Sequence, residues 1–355
     1  MQNNIKIKSA TGDYSVIFNN KIDDFIADNI DFSYCIIDRK VWALYSETEL
    51  FKKIHNPIFI DALETKKTVE TALEIIGILL ESGITRGKSI VGIGGGITQD
   101  IVTFLSSVLF RGVPWTFIPT TLLAQCDSCI GGKSSLNYKS WKNQIGNFYP
   151  PGKIMICPEF LGTLSELELR SGIGEMLKVH MVPGGDTYKK MHEYMKDIMS
   201  NSDTMLQAIY SALGVKKAVI EEDEFDTGLR LKMNLGHTFG HALEAASDYQ
   251  IPHGIAVNIG ILLASKFSLA NKLISTSRNS EILNYSNTNM KVEDFSELDF
   301  DKFYMSLRKD KKNKENRYCF IVPTSDQGVE MKFFEMSDTT DKLIRNCIDE
   351  LWGKK

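Results

Sequence analysis

Residues 234–244 read NLGHTFGHALE, with His237 and His241 four apart in a stretch that reads as helix. One helical turn separates them, so they share a face. Such a pair can hold a metal. The familiar zinc-protease pattern puts Glu directly after the first His, whereas here Thr238 follows. Arg230 and Asn234 precede them, and steps of four, three and four put 230, 234, 237 and 241 on one polar helical stripe. A stripe of Arg, Asn and two His is not a core face: it reads as a functional wall, with a buried polar network as the alternative. His253 follows at an expected helix start after Pro252, making three histidines in 17 residues. Imidazoles plus a carboxylate suit zinc or cobalt with an open coordination position. Glu175, in SGIGEMLKVHMV, is the best carboxylate by pattern, with Asp226 and Glu244 left open by spacing. Lys178 stands three residues after Glu175 on a largely apolar helix. The two make either an internal ion pair or part of a site, because unpaired charge there is costly.

Two further stretches offer anion chemistry. VGIGGGITQD places Gly92, Gly94, Gly95 and Gly96 where a strand turns into a helix. Glycine lets backbone N–H groups approach a ligand, and a helix N-terminus favours phosphate. The dinucleotide pattern GxGxxG fails at Ile97, so the turn reads equally as a phosphate cradle or a tight structural turn. Asp100 falls in the first helical turn, where a dipole role is the plain alternative. Downstream, Thr120, Thr121, Asp127, Lys133, Lys142 and Asn143 crowd a polar loop, and Gly131 and Gly132 immediately precede Lys133. Backbone nests with lysines suit phosphate or carboxylate; solvated surface lysines are the alternative.

The elements that must hold these residues divide into two textures. Up to about residue 155, strand-like runs (SYCIID, PIFI, KSIVGIG, WTFIP) alternate with helical patterns (TVETALEIIGILL, ITQDIVTFLSSV). That alternation predicts an α/β domain over 1–155 with a mainly parallel sheet. Residues 156–355 read as a mostly α-helical domain, with RYCFIVP as one strand and KDKKNKENR as a solvated charged loop. The chain of 355 residues carries a net charge of −4. This argues against bulk nucleic-acid binding and permits a local basic pocket. No apolar run of about 20 residues and no signal-like segment stands out, so a cytoplasmic protein without membrane partners is expected. The six cysteines are scattered. Cys126 and Cys129 form a lone CxxC without the second pair a zinc knuckle needs, and read as buried packing residues.

In order along the chain, GGGITQD, FRGVPWTFIPTTLLAQCDSCIGGKSSLN, KNQIGNFYPP, SGIGEMLK, DEFDTGLRLKMNLGHTFGHALE and IPHGIAV together resemble the dehydroquinate synthase and sugar-phosphate cyclase family. The resemblance implies a Rossmann-like NAD-binding domain, a helical metal-binding domain, an active site between them and a homodimer. It implies conversion of a seven-carbon keto acid phosphate to 3-dehydroquinate and phosphate in the shikimate pathway, with NAD used transiently. Zinc or cobalt would be held by Glu175, His237 and His253. Asp38, Glu64, Lys67, Gly94, Gly95, Asp100, Thr120, Thr121, Asp127 and Lys142 match positions lining NAD. Arg111, Lys133, Asn143, Lys178, Lys216, Arg230, Asn234 and His241 match positions around substrate, joined by Lys311 or its neighbour Lys312.

The sequence departs from the family pattern at Asp226, where Glu is frequent, and at Ile255, where an acidic residue is frequent. GGGITQD and YPP also differ from the usual GGGVIGD and YQP. Sister cyclases acting on a heptulose or hexose phosphate share the scaffold and are the alternative. Arg230 with Lys133 favours a small phosphorylated substrate that carries a carboxylate. A catalytically silent paralogue is disfavoured by the complete Glu/His/His set, and an iron-dependent alcohol dehydrogenase by the number of lysines.

Overall fold

Short runs bounded by turn residues, most of them apolar, form the strands of the first half. They are β1 (Ile5–Ile7), β2 (Tyr14–Phe18), β3 (Cys35–Asp38), β4 (Ile58–Ile60), β5 (Ile90–Gly94), β6 (Trp115–Pro119), β7 (Leu136–Tyr138), β8 (Trp141–Ile145) and β9 (Lys153–Ile156). The computed structural model describes residues 4–28, 30–139, 141–287, 289, 298–324 and 328–352. Seven strands form one sheet in the order β1-β2-β9-β6-β5-β3-β4. Only β1 and β2 pair antiparallel; every other neighbour is parallel, in keeping with the expected α/β class. β5 and β6 are buried along their whole length, as a central parallel strand covered on both faces must be.

Helices α1 (Arg39–Tyr45), α2 (Val69–Glu81) and α3 (Gly96–Val108) follow β3, β4 and β5. On α2 the buried residues Ala72, Ile75 and Leu79 recur at helical spacing, and the Thr68 hydroxyl caps the helix by accepting from the Thr71 N–H. The chain leaves β3 outward to β4, then returns past β3 to β5 and continues the other way to β6. The order therefore reverses between β3 and β5. Beyond the carboxyl ends of such strands lies the crevice where open α/β sheets bind ligands. Asp38 ends β3 and Gly94 ends β5.

The second half is helical, as expected: α4 (Glu166–Met181), α5 (Gly185–Tyr194), α6 (Ser202–Glu222), α7 (His237–Ala246), α8 (His253–Ala270), α9 (Thr276–Asn287), α10 (Phe300–Arg308) and α11 (Asp338–Leu351). The apolar α8 is buried on nearly every side. With 18 residues and a mean hydropathy of 1.4 it has the length and composition of a membrane span, yet it is a core helix of this unit. RYCFIVP forms β10 (Arg317–Pro323), whose antiparallel partner β11 (Val329–Glu335) the sequence pattern did not reveal. A cluster of Phe239, Phe267, Phe320 and Phe334 binds this hairpin to the helices.

The division into units differs from the sequence expectation of 1–155 and 156–355. One compact unit runs to Ser165 and includes Lys216–Phe225; the other comprises Glu166–Val215 and the chain from Asp226. The segment after 155 stays with the first unit because Phe160 stacks edge-on against Tyr45, in the core formed with Phe51. Lys216–Phe225 joins it because Glu221 accepts from the Lys8 N–H, Glu224 from the Ala10 N–H, and Phe225 meets Phe148.

Candidate metal centre and dinucleotide crevice

Three sequence candidates meet within the helical unit. Glu175 lies midway along α4, His237 begins α7 and His253 begins α8. Glu175 Oε1 lies 3.8 Å from His237 Nε2 and 3.4 Å from His253 Nε2. Glu175 is 1% exposed. Its Oε2 accepts from the Lys178 ammonium at 2.5 Å, while Oε1 has no hydrogen-bond partner. A buried carboxylate oxygen without a donor is unfavourable. A divalent cation held between it and the two imidazoles satisfies it, so the donor set fits zinc or cobalt.

The far sides of the two imidazoles support that fit. His237 Nδ1 lies 3.3 Å from the Leu235 carbonyl, and His253 Nδ1 lies 3.4 Å from Glu244 Oε2. With each Nδ1–H directed there, both Nε2 lone pairs turn toward Glu175. Burial, and then the Lys178 ammonium, hold the pKa of His237 well below its ordinary value, so the ring is a neutral donor. At His253 burial pulls the pKa down, but the carboxylates of Glu244 and Glu175 prevail and raise it. His241, Glu244 and His253 form a second close triplet. There, however, Glu244 faces the His253 nitrogen opposite the one that meets Glu175. Asp226 belongs to neither triplet among the described residues.

Glycines beside each candidate ligand allow the convergence. Beside Glu175 and His253, a Cβ on Gly174 would lie 2.1 Å from the Gly254 carbonyl oxygen, and one on Gly254 would lie 1.8 Å from the Ser171 carbonyl oxygen. Before His237, Gly236 adopts φ 77°, and a Cβ there would stand 2.4 Å from the Val257 oxygen. This left-handed glycine also corrects the continuous stripe expected from 230 to 241. Arg230 and Asn234 lie on a separate 3₁₀ turn, Leu229–Asn234, and α7 starts only at His237. Arg230 is buried, and the Asn234 amide donates to the Leu231 carbonyl.

His241, one turn beyond His237, is exposed, with its ring 5.4 Å from that of His237. Asp310 and Lys312 are among its charged neighbours. Of the two late lysines, Lys311 is exposed, whereas Lys312 is half-buried and pairs with Asp310 at 2.7 Å. Both lysines expected near substrate thus follow Asp310 directly in the chain. The charged run is not simply a solvated loop, since the Asp310 side chain is only 9% exposed.

In the α/β unit the glycine turn and the polar loop adjoin one another. A Cβ on Gly94 would stand 2.4 Å from Thr98 Oγ1, and one on Gly95 would stand 2.9 Å from Thr121 Cγ2. The Thr120 N–H donates to the Gly94 carbonyl. The ammonium of the buried Lys67 donates to Asp100 at 3.0 Å and to Asn143 Oδ1 at 2.8 Å. Burial lifts the Asp100 pKa to about 6 against the opposing pull of Lys67. Glu64 Oε1 lies 3.8 Å from both Lys67 and Lys142. These residues therefore form one polar cluster beside the N-terminal end of α3. The sequence reading missed Asn137, which ties the cluster together: it donates to Glu64 Oε1 and accepts from the Asn143 N–H. Its setting in LNYKSWK carries no motif, and the loop in fact forms the β7–β8 hairpin.

Asp38 caps α1 by accepting from the Lys40 N–H, and burial raises its pKa. Lys216 donates to the Asp127 backbone oxygen at 2.7 Å and meets its carboxylate at 3.0 Å. Lys133 pairs along the backbone with Phe148, and its ammonium lies 5.9 Å from that ring's centre. Arg111 stands apart: it is exposed, with φ 66°, on the turn that ends α3 opposite the glycines. Cys126 is buried in the π-helical turn Ala124–Ser128 and Cys129 is buried at its C-terminal cap, and none of the six cysteines forms a disulfide.

Comparison with known proteins follows the same two halves. The family model described as 3-dehydroquinate synthase N-terminal matches residues 57–171, and that described as 3-dehydroquinate synthase C-terminal matches 172–313. The 3-dehydroquinate synthase of Pelagibacter ubique is 34% identical over 335 residues, covering 90% of this chain and 91% of that protein. That of Streptococcus equi subsp. equi is 32% identical, covering 98% and 99%. A crystal structure of 2-deoxy-scyllo-inosose synthase, complexed with carbaglucose-6-phosphate, NAD+ and Co2+, shares the fold at a TM-score of 0.85, with 23% identity over 97% of this chain and 100% of that one. With both family models matched in order and relatives aligned over nearly their whole length, the chain belongs to the 3-dehydroquinate synthase family.

Proposed function

We propose that this chain is a metal- and NAD-dependent 3-dehydroquinate synthase of the shikimate pathway, a phosphate-eliminating cyclase acting on a seven-carbon keto acid phosphate. The observation that carries the reading is the convergence of Glu175, His237 and His253 in a chain of this family. Glu175, His237 and His253 would hold the divalent ion, zinc or cobalt. When bound, the ion polarises the hydroxyl undergoing oxidation and lowers its pKa. NAD would supply the hydride-transfer chemistry.

The chain's own residues do the rest. Lys178 neutralises Glu175 through Oε2, leaving Oε1 for the ion. Asp38, at the end of β3, offers its carboxylate to ribose hydroxyls, and the Gly94–Gly95 turn leaves room for pyrophosphate. Glu64, Lys67, Asp100, Thr120, Thr121, Asp127 and Lys142 complete the dinucleotide side. Arg230, Lys133, Lys178, Lys216 and either Lys311 or Lys312 neutralise substrate carboxylate and phosphate, with Asn143 and Asn234 as hydrogen-bonding groups. His241 moves a proton near the reacting oxygen. Arg111 lies beyond the far end of α3, roughly 20 Å from the glycine turn at 1.5 Å per residue. This suits a homodimer in which it serves a second copy of the chain. Six cysteines without a disulfide fit a reducing, cytoplasmic setting.

The test supplies purified protein with NAD+, zinc or cobalt, and each candidate phosphate in turn, and measures released phosphate and cyclic product. Turnover of the seven-carbon keto acid phosphate is expected. Turnover of a heptulose or hexose phosphate without the keto acid phosphate would overturn the reading in favour of a sister cyclase.

A further inference from the structure

Glu244 lies one turn beyond His241 near the end of α7, largely buried with a side chain 13% exposed. Its Oε2 stands 3.4 Å from Nδ1 of His253, while the Nε2 of the same ring stands 3.4 Å from Glu175 Oε1. The imidazole is therefore flanked by carboxylates at both nitrogens, one on a different helix from the other. The backbone alone does not fix that ring: His253 is the first residue of α8, and its side chain is 35% exposed. His237 is held from behind by a main-chain oxygen, that of Leu235. His253 instead depends on a side chain.

We propose that Glu244 is a positioning residue for the metal centre: it accepts the Nδ1–H of His253, fixes its tautomer and ring orientation, and strengthens Nε2 as a donor without itself binding the ion. The inference rests on the Glu175–His237–His253 reading. A carboxylate hydrogen-bonded to the outer nitrogen of a ligating imidazole sets the tautomer and raises its basicity, and losing it weakens metal binding by about 10–100-fold. The same contact explains why only one member of the His241–Glu244–His253 triplet serves the ion. Glu244 occupies the nitrogen His253 would need for a second centre.

The dissociation constant for Co2+ is measured by chelator competition on wild type, Glu244→Ala, Glu244→Gln and His253→Ala, together with the visible spectrum of each cobalt form and the melting temperature of each metal-free protein. Wild type is expected to bind one equivalent. Glu244→Ala should bind about 10–100-fold more weakly, with a shifted cobalt band and an unchanged metal-free melting temperature. Glu244→Gln keeps an acceptor oxygen without the charge and should fall between; it carries the test if the alanine variant does not fold. Wild-type affinity in these variants would overturn the proposal. So would a loss as complete as that of His253→Ala with the spectrum of a missing ligand, which would make Glu244 a direct ligand. A wild type that binds no cobalt would instead sink the underlying metal reading.

Discussion

Gly174 on α4 and Gly254 on α8 meet backbone to backbone, so that a Cβ on Gly174 would stand 2.1 Å from the Gly254 carbonyl oxygen. Each adjoins a candidate ligand, Glu175 and His253. Closeness of the two chains at this crossing is what brings a carboxylate within reach of a histidine almost eighty positions later.

Gly174→Ala should therefore lower stability by about 1–3 kcal/mol, as overpacking does, and reduce bound metal as well. Gly77→Ala serves as the contrast. Gly77 lies inside α2 with no atom near its absent Cβ, and alanine there should raise stability by about 0.5–1 kcal/mol. Chemical denaturation with metal analysis checks both; equal effects of the two substitutions would refute the close-approach argument.

The two histidines of NLGHTFGHALE should behave differently. His237 Nε2 faces Glu175, whereas His241 is exposed one turn further on. His237→Ala is expected to lose bound metal. His241→Ala should retain it and lose turnover, on the order of 100-fold or more for a general acid–base group. Elemental analysis beside phosphate-release rates separates the cases, and equal metal loss in both would contradict the ligand assignment.

Lys67 holds Asp100 and Asn143 from a buried position. Lys67→Met leaves the Asp100 carboxylate without that donor and should destabilise the protein by about 2 kcal/mol, with weaker NAD+ binding. Adding Asp100→Asn removes the stranded charge and should recover part of the stability but not the binding. Thermal melts and NAD+ titrations provide the check; no recovery in the double variant would count against the pairing.

His180 carries a pH prediction. It is fully buried, between the Met176 carbonyl at 2.8 Å and the Ser211 hydroxyl at 3.0 Å. Burial, its largest influence, lowers its pKa from the ordinary 6.5 to about 4. Between those values the unfolded chain binds the proton and the folded chain does not, so stability rises with pH. Its contribution is complete above pH 6.5 and is lost as pH falls toward 4, amounting to about 3 kcal/mol. In His180→Gln that share of the acid sensitivity should vanish. A pH–stability curve parallel to wild type over this range would refute the assignment.

Local pattern carried the reading of β3–β6, α2, α3 and the start of α8, because apolar spacing and Gly or Pro punctuation act over a few residues. It also singled out the chemical types in NLGHTFGHALE and SGIGEMLK. It could not say that the stripe from Arg230 to His241 breaks at Gly236, since that φ of 77° is imposed by the backbone of α8 against it. Nor could it choose among Glu175, Asp226 and Glu244, or between Lys311 and Lys312. Those choices depend on which side chains are brought together by segments far apart in the chain. Spacing within one helix made His237 and His241 equivalent. Only the crossing of α4, α7 and α8 at their glycines turns one of them to Glu175, because backbone contact there sets where every attached side chain can reach.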